Sequence, residues 1–249
     1  MLPGRPRPFR PCVLVPTYDN PATVRGVVEG ARAYVDEVVV VDDGSAPEGR
    51  SAVEALARDG LARAVFRPKN GGKGAAVKAG FLAAREQGIT HALQVDADGQ
   101  HAIADIPRFL DAARAQPDAL VLGAPVFDAS APRARLIGRR ITQFWANVET
   151  LGPVIADPMC GFRVYPLGAA IAAGARGNAM DFDPEIAVRM AWAGIRVINL
   201  PTRVRYIQGG VSHFRLGRDN ALITWMHTRM VFGALVRLPW FAHRRLAAR

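Results

Sequence analysis

Two carboxylates one residue apart, Asp96 and Asp98, follow the apolar run Ala92 to Val95 in the segment HALQVDADGQH. A short buried strand ending in such a pair places both oxygens in the crevice beyond the strand's carboxyl end, where open parallel sheets bind ligands. Paired carboxylates at that position suit a hard divalent cation such as Mg²⁺. Such an ion keeps one or two protein carboxylates and fills its remaining positions with substrate phosphates and water. Gly99 relaxes the following turn and Gln100 adds a further oxygen. The chemistry to expect is therefore that of a metal-bridged diphosphate.

Three other loops have the residue types to complete such a site. After Cys12 to Val15 comes Pro16-Thr17-Tyr18-Asp19-Asn20, an aromatic ring with short polar groups suited to a base. After Glu37 to Val41 comes Asp42-Asp43-Gly44-Ser45, whose carboxylate suits a base or ribose hydroxyl. After Ala64 to Phe66 comes Arg67-Pro68-Lys69-Asn70-Gly71-Gly72-Lys73-Gly74, where glycines allow close backbone approach and cations suit phosphate. Neither GxGxxG nor GxxxxGK[ST] is present, which argues against a Rossmann dinucleotide site and a P-loop.

These loops need a scaffold that brings strand ends together. The apolar runs named above, with a fifth at Ala119 to Leu122, alternate with helical patterns at Val24 to Val35, Ser51 to Arg58, Lys73 to Gln87 and Asp105 to Ala115. That alternation predicts right-handed βαβ units and one mostly parallel sheet flanked by helices, an α/β fold. The chain has 249 residues, enough for one large domain with a C-terminal appendage. Its 32 Lys and Arg against 22 Asp and Glu leave a charge of +10, which suits anionic partners. Two cysteines without a CxxC pattern are consistent with a reducing, cytoplasmic compartment. The basic, Pro-rich residues 1–10 lack the apolar stretch of a signal peptide.

The motifs VPTYDN, VVVVDDGS, RPKNGGKGAAVKAGF, VDADGQH and DPMCGFRVYP resemble, in order and spacing, those of glycosyltransferase family 2. Within that family the chain looks like the dolichyl-phosphate or polyprenyl-phosphate sugar synthase branch, over about Pro11 to Ser212. A weaker resemblance, through VSHFR, RDN and WMHTR, is to glycosyltransferases of bacterial aryl-polyene clusters. The resemblance implies a GT-A fold, a UDP- or GDP-sugar donor, Mg²⁺ or Mn²⁺, inversion at the anomeric carbon, and no nucleic-acid partner. It places Pro16, Thr17, Tyr18, Asn20, Asp43, Lys73, Asp96 and Ala97 around the donor nucleotide, and Asp96, Asp98, Gln100 and His213 at the metal.

The acceptor side is less determined. An ionised phosphate acceptor needs no protein base, whereas a hydroxyl acceptor does. Arg133, Arg135, Arg139 and Arg140 form a basic segment suited to a phosphate, with Arg163 and Ser212 as further acceptor candidates. However, the branch's Gly-Ser-Arg after the fifth strand is Gly123-Ala124-Pro125 here, and its Gly-x-Ser-Lys is Gly210-Val211-Ser212-His213. These losses tilt the expectation toward a hydroxyl on a lipid-linked or membrane-associated acceptor, with Asp157 as leading base and Asp183, Glu185 and His213 as further catalytic candidates. A polyprenyl-phosphate acceptor in the strict sense is the alternative. A non-catalytic nucleotide-sugar or membrane-surface module is the rival from another class. A sugar-1-phosphate nucleotidyltransferase is disfavoured because its N-terminal Gly-rich signature is missing. Met190 and Trp192 read as core.

The catalytic domain is expected over 11–216, with 217–249 as a C-terminal amphipathic segment. Leu222, Ile223, Met226 and Met230 share one helical face, opposite Thr224, His227 and Thr228. Arg237 and Pro239 are expected to end this helix, and its apolar run is far short of the about 20 residues a span needs. Trp240, Phe241, Arg244 and Arg245 then read as an interfacial anchor on an anionic membrane, at the inner face of the cytoplasmic membrane.

Overall fold

The computed structural model describes residues 9–128, 131–205 and 215–247, with side chains in the last helix described to Leu238. Ser212 and His213 lie outside the described residues. So do the side chains of Trp240, Phe241, Arg244 and Arg245.

Seven strands form one sheet: β1 (Pro11–Thr17), β2 (Val38–Asp42), β3 (Arg63–Phe66), β4 (His91–Gln94), β5 (Leu120–Phe127), β6 (Arg163–Pro166) and β7 (Val197–Val204). Their order is β3-β2-β1-β4-β6-β5-β7, parallel throughout except for β6, which runs antiparallel to both β4 and β5. The mostly parallel α/β sheet predicted from the alternating pattern is therefore present. Val38 to Asp42 is buried at every position, as a strand covered on both faces must be.

The helices are α1 (Val24–Arg32), α2 (Pro47–Arg58), α3 (Lys73–Glu86), α4 (Ile106–Ala115), α5 (Arg133–Thr150), α6 (Leu167–Ala172), α7 (Phe182–Trp192) and α8 (Leu216–Ala247), with a 3-10 turn at Ile103–Asp105. They divide into two layers. On one face of the sheet α1, α2 and α4 bury Val24, Val28, Leu56 and Phe109 with Val13, Val15 and Val40. On the other, α3, α6, α7 and α8 bury Val77, Phe81, Ile186, Met190, Trp192, Met226 and Met230 with Leu14, Val39 and Val41. Met190 and Trp192 are core, as expected. Gly80 permits α3 to approach β1, since a Cβ there would stand 2.2 Å from Leu14 Cδ1.

Helix α8 corrects two expectations. It continues through Arg237 and Pro239 to Ala247; a proline removes one backbone donor, and the remaining turns are enough to carry the helix on. Nor is it a separable appendage, because Ile223, Met226, Met230 and Ala234 are buried in the core. His227, expected on the solvent side, is 5% exposed, and its Nδ1 lies 2.7 Å from Glu149 Oε1 on α5. Hydrophobic periodicity marks a face that must be covered but does not say by what. Here the catalytic domain covers it.

Stability should report this packing. Met226→Ala is expected to cost about 2–5 kcal/mol, the range for deleting a buried Met side chain, while Thr224→Ala on the exposed side should stay within about 0.5 kcal/mol. Denaturant unfolding of the two variants checks this. A chain ended after Asp219 should fail to give a cooperative transition.

Candidate functional site

The loops at the carboxyl ends of β1, β2, β3 and β4 are tied to one another before any ligand is considered. Asp19 adopts a positive φ of 49°, a conformation Asp tolerates. There its N–H donates to Ser45 Oγ at 2.9 Å and its Oδ1 accepts from Ala46 N–H at 2.7 Å. Asn20 Nδ2 donates to the Tyr18 carbonyl at 2.8 Å. Loop one is thus fastened to loop two.

Asp43 fastens loop two to the glycine loop. It is 2% exposed and accepts from Gly72 N–H at 2.7 Å and Gly71 N–H at 3.2 Å, with Arg67 as its ion-pair partner. Burial holds its carboxyl above the ordinary value, although these donors and Arg67 pull the other way. Gly72 is required by conformation and space alike: its φ is +96°, and a Cβ would meet the Asn178 carbonyl oxygen at 2.4 Å. The turn delivers Lys73 to the first position of α3.

Lys73 Nζ lies 2.7 Å from Asp96 Oδ1 and 2.8 Å from Asp183 Oδ2. Burial works against the ammonium, and the two carboxylates overcome it, raising its pKa above the ordinary lysine value. Burial likewise opposes the charge on Asp96, but Lys73 and His101 hold that carboxyl well below the usual carboxylate range. Asp98 goes the other way. Its Oδ1 accepts the Gln100 N–H, at 3.0 Å, while burial and the neighbouring Asp96 raise its pKa. Gly161 backs the pair, since a Cβ there would lie 2.2 Å from Asp96 Oδ2.

A cavity of about 1380 Å³ joins these loops to α5 and α8. Pro16, Thr17, Tyr18, Asn20, Asp43, Lys73, Asp96 and Ala97, expected around the nucleotide, all line it, as do Asp98 and Gln100. Among the described residues no three His, Cys, Asp or Glu side chains converge into a metal cage. The donor set nevertheless fits Mg²⁺ or Mn²⁺: Asp98 is a half-buried carboxylate beside a second carboxylate, in a cavity roomy enough for phosphates.

On the acceptor side several expectations are corrected. Arg163 is fully buried and spends its guanidinium on carbonyls, donating to Cys160 at 2.8 Å, Asp183 at 2.9 Å and Pro158 at 3.1 Å. It braces the 157–163 turn against α7 and does not line the cavity. Glu185 is also fully buried, accepting from Gly177 N–H at 2.6 Å and Arg189 Nε at 2.7 Å, so it stabilises a loop and an adjacent helical turn. Arg140 is exposed and lies off the cavity. Asp157 stands behind Arg139, whose Nη1 donates to it at 2.7 Å, and also accepts from Met159 N–H at 2.8 Å. Of that pair only Arg139 lines the cavity. The leading base is therefore engaged by Arg139 and Met159 and does not itself border the cavity.

Other lining residues went unassigned from the sequence. His101 lies beside Asp96, its Nε2 3.8 Å from Oδ2, and its place directly after Gln100 was the available signal. Thr142 joins Arg135 and Arg139, already expected at an acceptor phosphate, in lining the cavity; their i, i+4, i+7 spacing puts the three on one helical face, whereas Arg140 turns about 100° away. Arg215 and Arg218 enter from the start of α8, which no local pattern could indicate.

The chain is similar to known proteins in sequence and in fold. The model of glycosyl transferase family 2 matches residues 12–169. Polyprenol monophosphomannose synthase of Mycolicibacterium smegmatis is 34% identical over 165 residues, covering 63% of this chain and 61% of that protein. Undecaprenyl-phosphate mannosyltransferase of Micrococcus luteus is 27% identical, covering 78% and 82% respectively. The chain thus spans about six-tenths of the first relative and four-fifths of the second. Among solved structures, glucosyl-3-phosphoglycerate synthase of Mycobacterium tuberculosis superposes with a TM-score of 0.66 at 15% identity, covering 90% of this chain and 80% of that one. A second structure of that enzyme, with Mn²⁺ and UDP-glucose, gives 0.63 at 16%, with 92% and 78% covered. These structures share the fold. With the family model matching well over half of its residues, the chain belongs to glycosyl transferase family 2.

Proposed function

We propose that this protein transfers a sugar, with inversion, from a nucleoside-diphosphate sugar to a polyprenyl-phosphate-type acceptor. The observation that carries this reading is the single cavity with nucleotide loops and the Asp96–Asp98 pair at one end, and Arg135, Arg139, Arg215 and Arg218 at the other. The names of the relatives, a polyprenol monophosphomannose synthase and an undecaprenyl-phosphate mannosyltransferase, support the same acceptor class. The expectation of a hydroxyl acceptor came from the replaced Gly-Ser-Arg and Gly-x-Ser-Lys segments and took Asp157 as its base, whereas Arg135 and Arg139 supply other cations at the cavity. Asp157 instead orients Arg139.

A phosphate oxygen of the acceptor attacks the anomeric carbon as the bond to the donor diphosphate breaks. The nucleophile is already ionised, so no proton has to be removed. Arg139, held by Asp157, fixes the acceptor phosphate, and the glycine loop and Tyr18 fix the donor. A divalent ion at Asp98 would supply positive charge to the departing diphosphate. UDP- and GDP-sugars both fit this chemistry.

The surroundings support an anionic membrane as the place of reaction. Helix α5 exposes Ile137, Ile141, Phe144, Trp145 and Val148, and α8 exposes Trp225, Phe232, Leu235 and Val236. The acidic residues of α5 and of α8 to Leu238, Glu149 and Asp219, are both buried, while Arg133, Arg140, Arg218 and Arg237 are exposed. An apolar face edged with cations and bare of carboxylates complements anionic headgroups, each cation adding about 1 kcal/mol. No helix among the described residues is long and apolar enough to cross a membrane. We place the protein peripherally on the inner face of the cytoplasmic membrane, where nucleotide sugars are made.

Three measurements test this. With UDP-glucose or GDP-mannose, Mn²⁺ and undecaprenyl phosphate in detergent, mass spectrometry should find a glycosylated lipid phosphate. Asp98→Ala should reduce its formation by roughly 10²-fold or more, the scale of losing one electrostatic stabiliser, while keeping the native circular dichroism. Arg139→Gln and Asp157→Asn should each raise the acceptor KM by about 10-fold, as befits one charge-assisted hydrogen bond. They should leave slow donor hydrolysis in place. A fall in kcat alone for Asp157→Asn would restore it as a base for a hydroxyl acceptor. Finally, Phe144→Glu combined with Trp225→Glu should abolish sedimentation with phosphatidylglycerol vesicles without changing the fold. Undiminished sedimentation would remove this face from the reading.

A further inference from the structure

We propose that the arm of the cavity between α5 and α8 takes the acceptor's chain beyond its phosphate, and that His227, held by Glu149, positions this chain through a hydroxyl group on it. The proposal rests on the phosphate-acceptor reading above and narrows its substrate class.

Ile141 and Trp145 of α5 and Ile223, Val231 and Phe232 of α8 line this arm. Such apolar walls suit a hydrocarbon chain. Thr142 and Thr228 also line it, but each turns its hydroxyl back on its own helix, donating to the Gly138 carbonyl at 3.1 Å and the Thr224 carbonyl at 2.9 Å. His227 differs from them. It borders the same cavity while only 5% exposed, and its Nε2 has no hydrogen-bond partner among the described residues. The ring is fixed from behind, since Nδ1 lies 2.7 Å from Glu149 Oε1 and Glu149 is fully buried. Trp192 Nε1 in turn donates to the Glu149 backbone carbonyl at 2.8 Å and ties that turn of α5 to α7.

Helix geometry separates this pair from the phosphate. His227 lies about 14 Å beyond Arg218 along α8, and Glu149 lies about 15 Å beyond Arg139 along α5. A phosphate held by the arginines is therefore out of reach of His227, which meets whatever follows the phosphate into the arm. A chain of hydrocarbon alone would press methylenes against Nε2 and leave a buried polar atom unpaired, which is unfavourable. A hydroxyl removes that cost. It both donates and accepts, so it pairs with Nε2 whichever of Glu149 and Nδ1 carries the proton between them. The arm thus favours a phosphorylated amphiphile whose chain bears a hydroxyl over one that is hydrocarbon throughout.

The test compares two probes, dodecyl phosphate and ω-hydroxydodecyl phosphate, whose extended chains span the distance from the arginines to His227. Each is titrated below its micelle-forming concentration into the full chain with UDP and Mn²⁺ present, and tryptophan fluorescence, to which Trp145 contributes, reports binding. A plain apolar groove would prefer the unsubstituted chain. Wild-type protein should instead bind the hydroxylated probe about 5-fold more tightly, the scale of one net hydrogen bond. His227→Phe, checked for native circular dichroism, should lose that preference while still binding dodecyl phosphate. Equal affinities in wild type, or an undiminished preference in folded His227→Phe, would overturn the proposal and leave the phosphate-acceptor reading in place. If the variant does not fold, the wild-type comparison decides alone. Failure of both probes to bind would overturn the proposal and that reading together.

Discussion

The ammonium of Lys73, held between Asp96 and Asp183, is the contact on which the arrangement of the site depends. It joins three elements far apart in sequence: the start of α3, the loop after β4 and the first turn of α7. Burying three charges is costly, and only a closely paired geometry offsets the loss of hydration. That requirement explains the glycines around it. Gly72 must turn with positive φ to start α3 at the right height, and Gly161 must lack a side chain to leave room for Asp96. Removing one partner would strand the others, so the network specifies its own geometry.

The same economy governs the neighbouring Asp43. A carboxylate expected to meet a base is already engaged by Gly71, Gly72 and Arg67, yet it still borders the cavity. Its first task is to hold the glycine loop in place. Tyr18 and Asn20 line the same cavity.

Helices α5 and α8 serve two environments at once. Their inner faces meet the core and each other, fastened by the buried Glu149–His227 hydrogen bond. Burial raises the Glu149 carboxyl above its ordinary value, and His227 offsets part of that. Their outer faces carry aromatic and aliphatic side chains in the open. An element pinned to the domain on one side and apolar on the other can present the cavity to a lipid without being able to leave the fold.

Local pattern sufficed for much of this protein. Buried β-branched runs and helical periodicity determined the α/β class and the first five strands, because those signals arise from each element's own need for cover. The motif order determined the family, and the residues it expected around a nucleotide all border the cavity, because those loops sit directly at strand ends. Tertiary structure decided what depends on partners distant in the chain. Arg163–Pro166 carries no strand pattern of its own, and only its pairing with β4 and β5 makes it a strand, and an antiparallel one. Arg163, Glu185 and Asp157 look like site residues by type, yet their carbonyl, amide and guanidinium partners remove them from the cavity. Helix α8 shows an apolar stripe in sequence, but whether lipid or core covers it is settled by contacts with α5 and α7. A residue's chemistry is local; its availability is set by whatever the rest of the chain folds against it.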